Sequence, residues 1–172
     1  AADQEFPAIV PDPRAADGWI SQHQALLARV RQGNVDLLMI GDSITQGWEE
    51  DGRRVWDTFY GRRQAVNLGF NSDQTDNVLW RLQHGELDGI APKLTVLMIG
   101  TNNTTMREDP PEHTAAGIQA ILTTLRTRLP QTKVLLLAVF PRGASADDPN
   151  RLVNQAVNER LRAFADQRHV FF

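Results

Sequence analysis

The chain has 172 residues, of which 41% are hydrophobic and 23% charged, and its formal net charge is −3. These values are typical of one globular domain; they exclude a disordered or fibrous chain and argue against a protein that binds nucleic acid through phosphate attraction. No apolar run reaches the roughly 20 residues of a membrane span, and the absence of cysteine excludes disulfides, thiolate metal sites and a cysteine nucleophile.

Helices and strands are predicted to alternate along the chain. The proline-rich residues 1–16 predict an extended arm, and from Asp17 the apolar spacing is helical until Gly33-Asn34. Short apolar runs then predict five strands, the last only begun, at 35–40, 65–68, 94–99, 134–140 and from 169. Helical patterns separate them at 75–82, 118–129 and 152–164. This alternation predicts one α/β domain over residues 17–172 with a mainly parallel sheet.

Small polar loops follow the first three predicted strands. The carboxyl ends of parallel strands meet at one edge of a sheet, where ligands bind in such folds. Packing alone gives no reason for three loops of this kind, so the sequence predicts a site there. The loops are Gly41-Asp42-Ser43-Ile44-Thr45, Gly69-Phe70-Asn71-Ser72-Asp73 and Gly100-Thr101-Asn102-Asn103.

Ser43 and Asn102 are the candidate chemical groups of these loops. Ser43 lies where a strand turns into a helix, so its hydroxyl is expected to point outward while its N–H has no partner within the helix. A nucleophile that attacks an ester needs such donors, because the carbonyl oxygen becomes an anion. The alternatives are that Ser43 is only a helix N-cap and Asn102 only a turn residue.

The three loops, in this order and spacing, resemble the first sequence blocks of the SGNH (GDSL-type) hydrolases. The resemblance is strongest to the platelet-activating-factor acetylhydrolase-like branch and its bacterial esterase relatives. It covers about residues 17–172 and is strengthened by the segments 78–82, 85–87, 92–93 and 140–143. It implies a flavodoxin-like, three-layer α/β/α fold with a parallel five-stranded sheet in the order 2-1-3-4-5.

The resemblance also implies a serine esterase that cleaves small, short-chain esters through an acyl-enzyme, without a metal or cofactor. Ser43 would be the nucleophile and the first oxyanion N–H, and Asn102 the side-chain donor. Ser72 stands where the family has glycine, so its N–H becomes the expected third donor, with Gly69 as the fallback. Asp42 is expected to order the loop and not to be the triad acid. The alternatives are a non-catalytic flavodoxin-like binding module and a lipase or thioesterase with a longer acyl preference.

The family takes its catalytic Asp and His from an Asp-x-x-His block after strand five. We therefore expect both residues beyond Phe172, in a domain truncated at its C-terminus. Asp166-Gln167-Arg168-His169 fits the pattern, but it precedes strand five and would lie a strand length from Ser43, roughly 17–20 Å. His113 follows strand three on the correct edge, although a position near a helix N-terminus explains it as well.

The remaining histidines and the aromatic residues after Ser43 have structural interpretations. His23 is predicted to be a solvated helix position, and His84 to end a short helix. Core packing is the default for an aromatic run, although some of these rings could line an acyl or alcohol pocket. The run consists of Trp48, Trp56, Phe59 and Tyr60.

The expected partner is a small-molecule ester, with no nucleic acid and no membrane span. Homo-oligomer formation stays open. Ala1-Ala2-Asp3 has the composition of a remnant left by signal-peptide cleavage. Secreted, periplasmic and cytoplasmic locations therefore all stay open.

Overall fold

The computed structural model describes residues 5–172, so the predictions for residues 1–4 lie outside it. Seven α-helices and five strands follow the short 3₁₀ turn Pro7–Ile9 in the described part of the chain. In chain order they are α1 Asp17–Arg31, β1 Leu37–Gly41, α2 Ser43–Gln46, α3 Arg53–Phe59, β2 Ala65–Gly69, α4 Thr75–Arg81, β3 Leu94–Met98, α5 Thr101–Met106, α6 Pro111–Arg128, β4 Lys133–Leu136, α7 Pro149–Leu161 and β5 Val170–Phe171.

The five strands form one parallel sheet in the order β2-β1-β3-β4-β5, which confirms the predicted topology. Successive side chains of a strand face opposite sides. Leu38 and Ile40 of β1 therefore join the large core beneath α4, α6 and α7, whereas Leu37 and Met39 join a smaller cluster with Trp56 of α3. Helices thus flank both faces, as the three-layer prediction requires.

Two elements differ from the pattern that the sequence predicts. Strand β4 ends at Leu136 instead of continuing to Phe140, because the side chain of Asn158 takes over the backbone pairing of Val139. Asn158 accepts from the Val139 N–H at 2.7 Å and donates to its carbonyl at 2.9 Å. The polar segment after β3, predicted as a loop, forms the short helix α5.

The N-terminal arm packs along the domain. Ala8 is fully buried, and its carbonyl accepts a 2.8 Å hydrogen bond from the Thr75 hydroxyl on α4. The N–H of Asp12 donates to the carbonyl of Asp76, and the side chain of Asn77 donates to the carbonyl of Asp12. Along residues 5–172, no helix combines the length and the apolar character that crossing a bilayer requires.

Candidate active site

The three polar loops meet at the carboxyl edge of the sheet. Gly41, the last residue of β1, is in register with Gly69 at the end of β2 and with Met98 at the end of β3. A hydrogen bond also joins the second and third loops: the Asn102 amide donates to the Asp73 carbonyl at 2.9 Å. The expected convergence of these loops is therefore present in the backbone.

Ser43 is the first residue of α2, and its side chain is exposed. The N-cap is the buried Asp42, whose carboxylate accepts from the Ile44 N–H at 2.9 Å. Burial raises the pKa of Asp42, against the opposing effects of that hydrogen bond and of the Arg142 guanidinium. Because Asp42 makes the capping bond, the N-cap alternative does not account for Ser43.

Two glycines permit the close packing of α2 against the strand ends. A Cβ at Gly41 would lie 2.2 Å from the Thr45 hydroxyl, and one at Gly69 would lie 2.3 Å from the Gln46 nitrogen. The N–H of Gly69 already donates to the Asn67 side chain at 2.8 Å. This occupied donor makes Gly69 a weaker candidate than Ser72 for the oxyanion hole.

Ser72 has a φ of 64°, in the left-handed region that favours glycine. The next residue closes the turn, since the Asp73 N–H donates to the Phe70 carbonyl at 3.2 Å. Within residues 5–172 no hydrogen bond engages the N–H of Ser72. A serine thus adopts the backbone conformation expected of the family's glycine, and its N–H is available.

Replacing Ser72 with glycine is expected to raise the free energy of unfolding by about 0.5–1 kcal/mol, because it relieves left-handed strain that outweighs the extra chain entropy. Urea denaturation measures this change. Ser72→Ala is the matched control, because it removes the hydroxyl and keeps the strain, so it should not stabilise. Equal stabilisation by both variants would contradict the strain explanation.

Asn102 is the second residue of α5 and is half-buried. Its amide carries two N–H groups, and one of them donates to the Asp73 carbonyl. This bond fixes the plane of the amide and leaves the second N–H free for a ligand. The neighbouring Asn103 has a different role, because its buried amide bonds to Thr75 and Asp109 and ties α5 to α4.

A cluster of buried charged side chains lies behind the second loop. The Asp73 carboxylate accepts from the Trp19 indole at 2.7 Å and from Arg81 at 2.9 Å. Arg81 also donates to Glu86 at 2.6 Å, and Glu86 meets the His23 ring at 2.9 Å. The prediction that His23 is solvated is therefore wrong: the residue is 5% exposed, and its ring meets a partner 63 residues away in the chain.

Burial raises the pKa of Asp73 to about 6, and the charge of Arg81 and the Trp19 hydrogen bond oppose this only in part. Asp73 and Glu86 share the Arg81 guanidinium. The second cation near Asp73, Arg14, lies 3.9 Å away and is partly exposed, so the charge of Asp73 is compensated only in part. Since the folded-state pKa lies above the unfolded value, Asp73 contributes stability at low pH that is lost as the pH rises from about 4 to about 6.

The free energy of unfolding of the wild type, minus that of Asp73→Asn, is therefore expected to fall by on the order of 2 kcal/mol between pH 4 and pH 7. Urea denaturation at several pH values measures the difference. The asparagine side chain of the variant cannot ionise, so the variant is the baseline against which the pH dependence of the wild type is measured. A difference that stays constant or grows with pH would contradict the raised pKa.

None of the four histidines in residues 5–172 contacts Ser43. Asp166 accepts from the N–H groups of Arg168, His169 and Val170 and so caps the turn that enters β5 at the amino edge of the sheet. His113 stacks on Phe6 with ring centroids 3.8 Å apart, and His84 stacks on Trp80 at 3.9 Å.

An apolar pocket of about 140 Å³ opens beside α2, on the face of the sheet that carries α3. Ile44 and Thr45 of α2 line it, together with Met98 at the end of β3 and Phe140 in the loop that follows β4. It continues into a wider groove of about 530 Å³ over the sheet. Of the aromatic run, Trp48, Phe59 and Tyr60 line this groove, whereas Trp56 is buried in the smaller core cluster.

The fold and its edge loops define an α/β protein whose polar groups gather at the carboxyl edge of a parallel sheet. The sequence matches the model of the GDSL-like lipase/acylhydrolase family over residues 39–172. It is 37% identical over 160 residues to human platelet-activating factor acetylhydrolase IB subunit alpha2, an alignment covering 91% of this chain and 67% of that protein.

Two solved structures share the fold. A GDSL-like lipase from Bacteroides thetaiotaomicron has a TM-score of 0.63 at 21% identity, over 89% of this chain and 74% of that one. The acetylxylan esterase Axe2 from Geobacillus stearothermophilus has a TM-score of 0.62 at 16% identity, over 78% and 73% of the two chains. The chain belongs to the GDSL-like lipase/acylhydrolase family and is an ester hydrolase.

Proposed function

We propose that this ester hydrolase uses Ser43 as the nucleophile for small, short-chain carboxylic esters. The observation that carries the proposal is the meeting of three loops at one sheet edge, with an exposed serine and two uncommitted donors. Ser43 begins α2, Ser72 has a free N–H, and Asn102 has one free amide N–H. Family membership supports the hydrolase over a non-catalytic binding module.

In the proposed mechanism the Ser43 hydroxyl oxygen attacks the ester carbonyl carbon and loses its proton to a general base. The carbonyl oxygen becomes an oxyanion that accepts from the Ser43 N–H, the Ser72 N–H and the Asn102 amide. Collapse of this intermediate expels the alcohol, which takes the proton back from the base, and leaves an acyl-serine. Water then hydrolyses this ester, which releases the carboxylic acid and restores the Ser43 hydroxyl. The Asp–His pair expected beyond Phe172 stays a prediction for the base.

The small pocket beside α2, lined by the neighbour of Ser43 in the chain, Ile44, supports the proposed preference for short acyl groups. Its volume of 140 Å³ is about that of five water molecules in liquid water, which is room for a few carbon atoms. The name acetylhydrolase of the 37%-identical relative supports the same short acyl group. The wider groove that continues from the pocket favours the second candidate, an enzyme with longer acyl chains.

A panel of p-nitrophenyl esters from acetate to dodecanoate separates the two candidates in the full-length protein. We expect kcat/KM to be highest for acetate to butyrate and to fall with each added pair of methylenes. A maximum at eight or more carbons would contradict the short-chain proposal and support the groove as an acyl site.

Labelling with an alkyl fluorophosphonate tests the nucleophile directly. This reagent forms a stable adduct with a serine that a base and an oxyanion hole activate. We expect one adduct per full-length protein molecule, located at Ser43 by peptide mass spectrometry. Labelling at another serine, or none in an active preparation, would overturn the assignment.

A further inference from the structure

The buried charged cluster behind the second loop needs an explanation beyond folding. Asp73, Arg81 and Glu86 are each fully buried. Buried ion pairs cost desolvation, and apolar replacements of similar volume are often at least as stable. Stability alone is therefore a weak reason for two carboxylates and a guanidinium inside this domain, and their position beside Ser72 offers another.

Asp73 belongs to the cluster through its side chain and to the candidate oxyanion hole through its backbone. Its carbonyl accepts the Asn102 amide at 2.9 Å, and its N–H closes the turn onto the Phe70 carbonyl at 3.2 Å. That turn contains Ser72 in its left-handed conformation. The position of one residue thus sets the direction of two of the three proposed donors.

Two side chains of the cluster hold the Asp73 carboxylate. Trp19 of α1 and Arg81 of α4 donate to its two carboxylate oxygens at 2.7 and 2.9 Å. Arg81 is itself held by Glu86 and by the Leu68 carbonyl, at 2.6 and 3.1 Å, and it lies 3.8 Å over the ring of Phe70. The loop is therefore anchored to β2, α1 and α4 together.

We propose that Trp19 and Arg81 are positioning residues for ester hydrolysis, which aim the Ser72 N–H and the Asn102 amide by holding the Asp73 carboxylate. The inference rests on the proposed function of Ser43, Ser72 and Asn102. Donors aimed at the oxyanion act mainly in the transition state, so their misalignment lowers kcat more than it raises KM. If the cluster only held the helices together, substitutions in it would instead reduce the fraction of folded enzyme and leave kcat per active site unchanged.

Trp19→Phe tests this in the full-length protein, because it keeps an aromatic ring at this position and removes the hydrogen bond to Asp73 together with part of the buried ring. The matched control is Trp80→Phe. Trp80 lies 5.6 Å from Trp19 between ring centroids, and its indole makes no hydrogen bond within residues 5–172. Fluorophosphonate titration counts active sites, so kcat is expressed per active site at pH 8, where Asp73 is ionised.

For Trp19→Phe we expect kcat per site to fall about tenfold with KM within about twofold. Inhibition by a trifluoromethyl ketone, whose adduct places an oxyanion in the same hole, should weaken by the same factor. Trp80→Phe should stay within about twofold of wild type in both measurements. Arg81→Lys, which lacks the guanidinium fork, should lose more, about a hundredfold; if it does not fold, Trp19→Phe decides.

An unchanged kcat per site and inhibitor affinity in Trp19→Phe, in a wild type that is labelled at Ser43, would overturn the positioning role alone. Equal losses in Trp19→Phe and Trp80→Phe would also overturn it, because the cause would then be general packing. A wild type that hydrolyses esters without labelling at Ser43 would overturn the proposed function and this inference with it.

Discussion

Replacing Ser43 with alanine is expected to lower kcat/KM for a short-chain ester by about 10³- to 10⁶-fold. The hydroxyl is the only group in the proposed site that forms a covalent bond to the substrate, so no acyl-enzyme forms without it. The free energy of unfolding should change by less than about 0.5 kcal/mol, because the side chain is exposed and the capping bond belongs to Asp42.

Ser21→Ala is the matched control for this experiment, since Ser21 is an exposed serine on α1 whose side chain makes no hydrogen bond within residues 5–172. It should leave kcat/KM and stability unchanged. Ester hydrolysis by the full-length protein, with and without each change, measures the effect, and denaturation in urea checks the fold. A Ser43→Ala variant that keeps more than a tenth of the wild-type activity would show that another group attacks the ester.

The sheet could be predicted because its signals are local. Apolar runs such as 37–40 and 94–98 have the length of strands, and glycines follow them at the edge. The run 37–40 is buried on both sides, whereas Leu94 and Val96 leave one side of 94–98 half-buried. The early end of β4 could not be predicted, since it depends on Asn158 reaching Val139 from the following helix. Helix α5 was missed for a related reason: its threonine and asparagine residues are poor helix formers that packing holds in place.

The same distinction between local and long-range signals applies to the candidate site. Ser43 and Asn102 could be proposed because they stand in short polar motifs that follow strands, and Ser72 because the resemblance places the family's oxyanion glycine at its position. The cluster behind them was missed because each partner is distant along the chain: Trp19 reaches Asp73 across 54 positions and His23 reaches Glu86 across 63. No periodicity distinguishes Arg81, a buried arginine in a helix, from a solvated one. A charged residue in the middle of an otherwise apolar helical stretch, 78–82, was the available signal.

Replacing Asn102 with alanine is expected to lower kcat by about 10²- to 10³-fold while KM changes little. The free amide N–H is proposed to donate to the oxyanion, which carries full charge only after attack. Removing this N–H therefore destabilises the transition state more than the bound substrate. Fluorophosphonate labelling of Ser43 should slow by a similar factor, because its phosphoryl oxygen occupies the same hole. Kinetics on a short-chain ester and labelling rates measure both effects.

Thr105→Val is the matched control on the same short helix. The Thr105 hydroxyl donates only to the Thr101 carbonyl within α5, so its removal perturbs the helix without touching the proposed donors. It should change kcat by less than about threefold. If Asn102→Ala lost less than tenfold in kcat, or raised KM alone, the amide would be a ground-state binding group, and the oxyanion hole would consist of the Ser43 and Ser72 N–H groups. The comparison of the two variants thus separates a donor aimed at the transition state from a helix that merely needs to be intact.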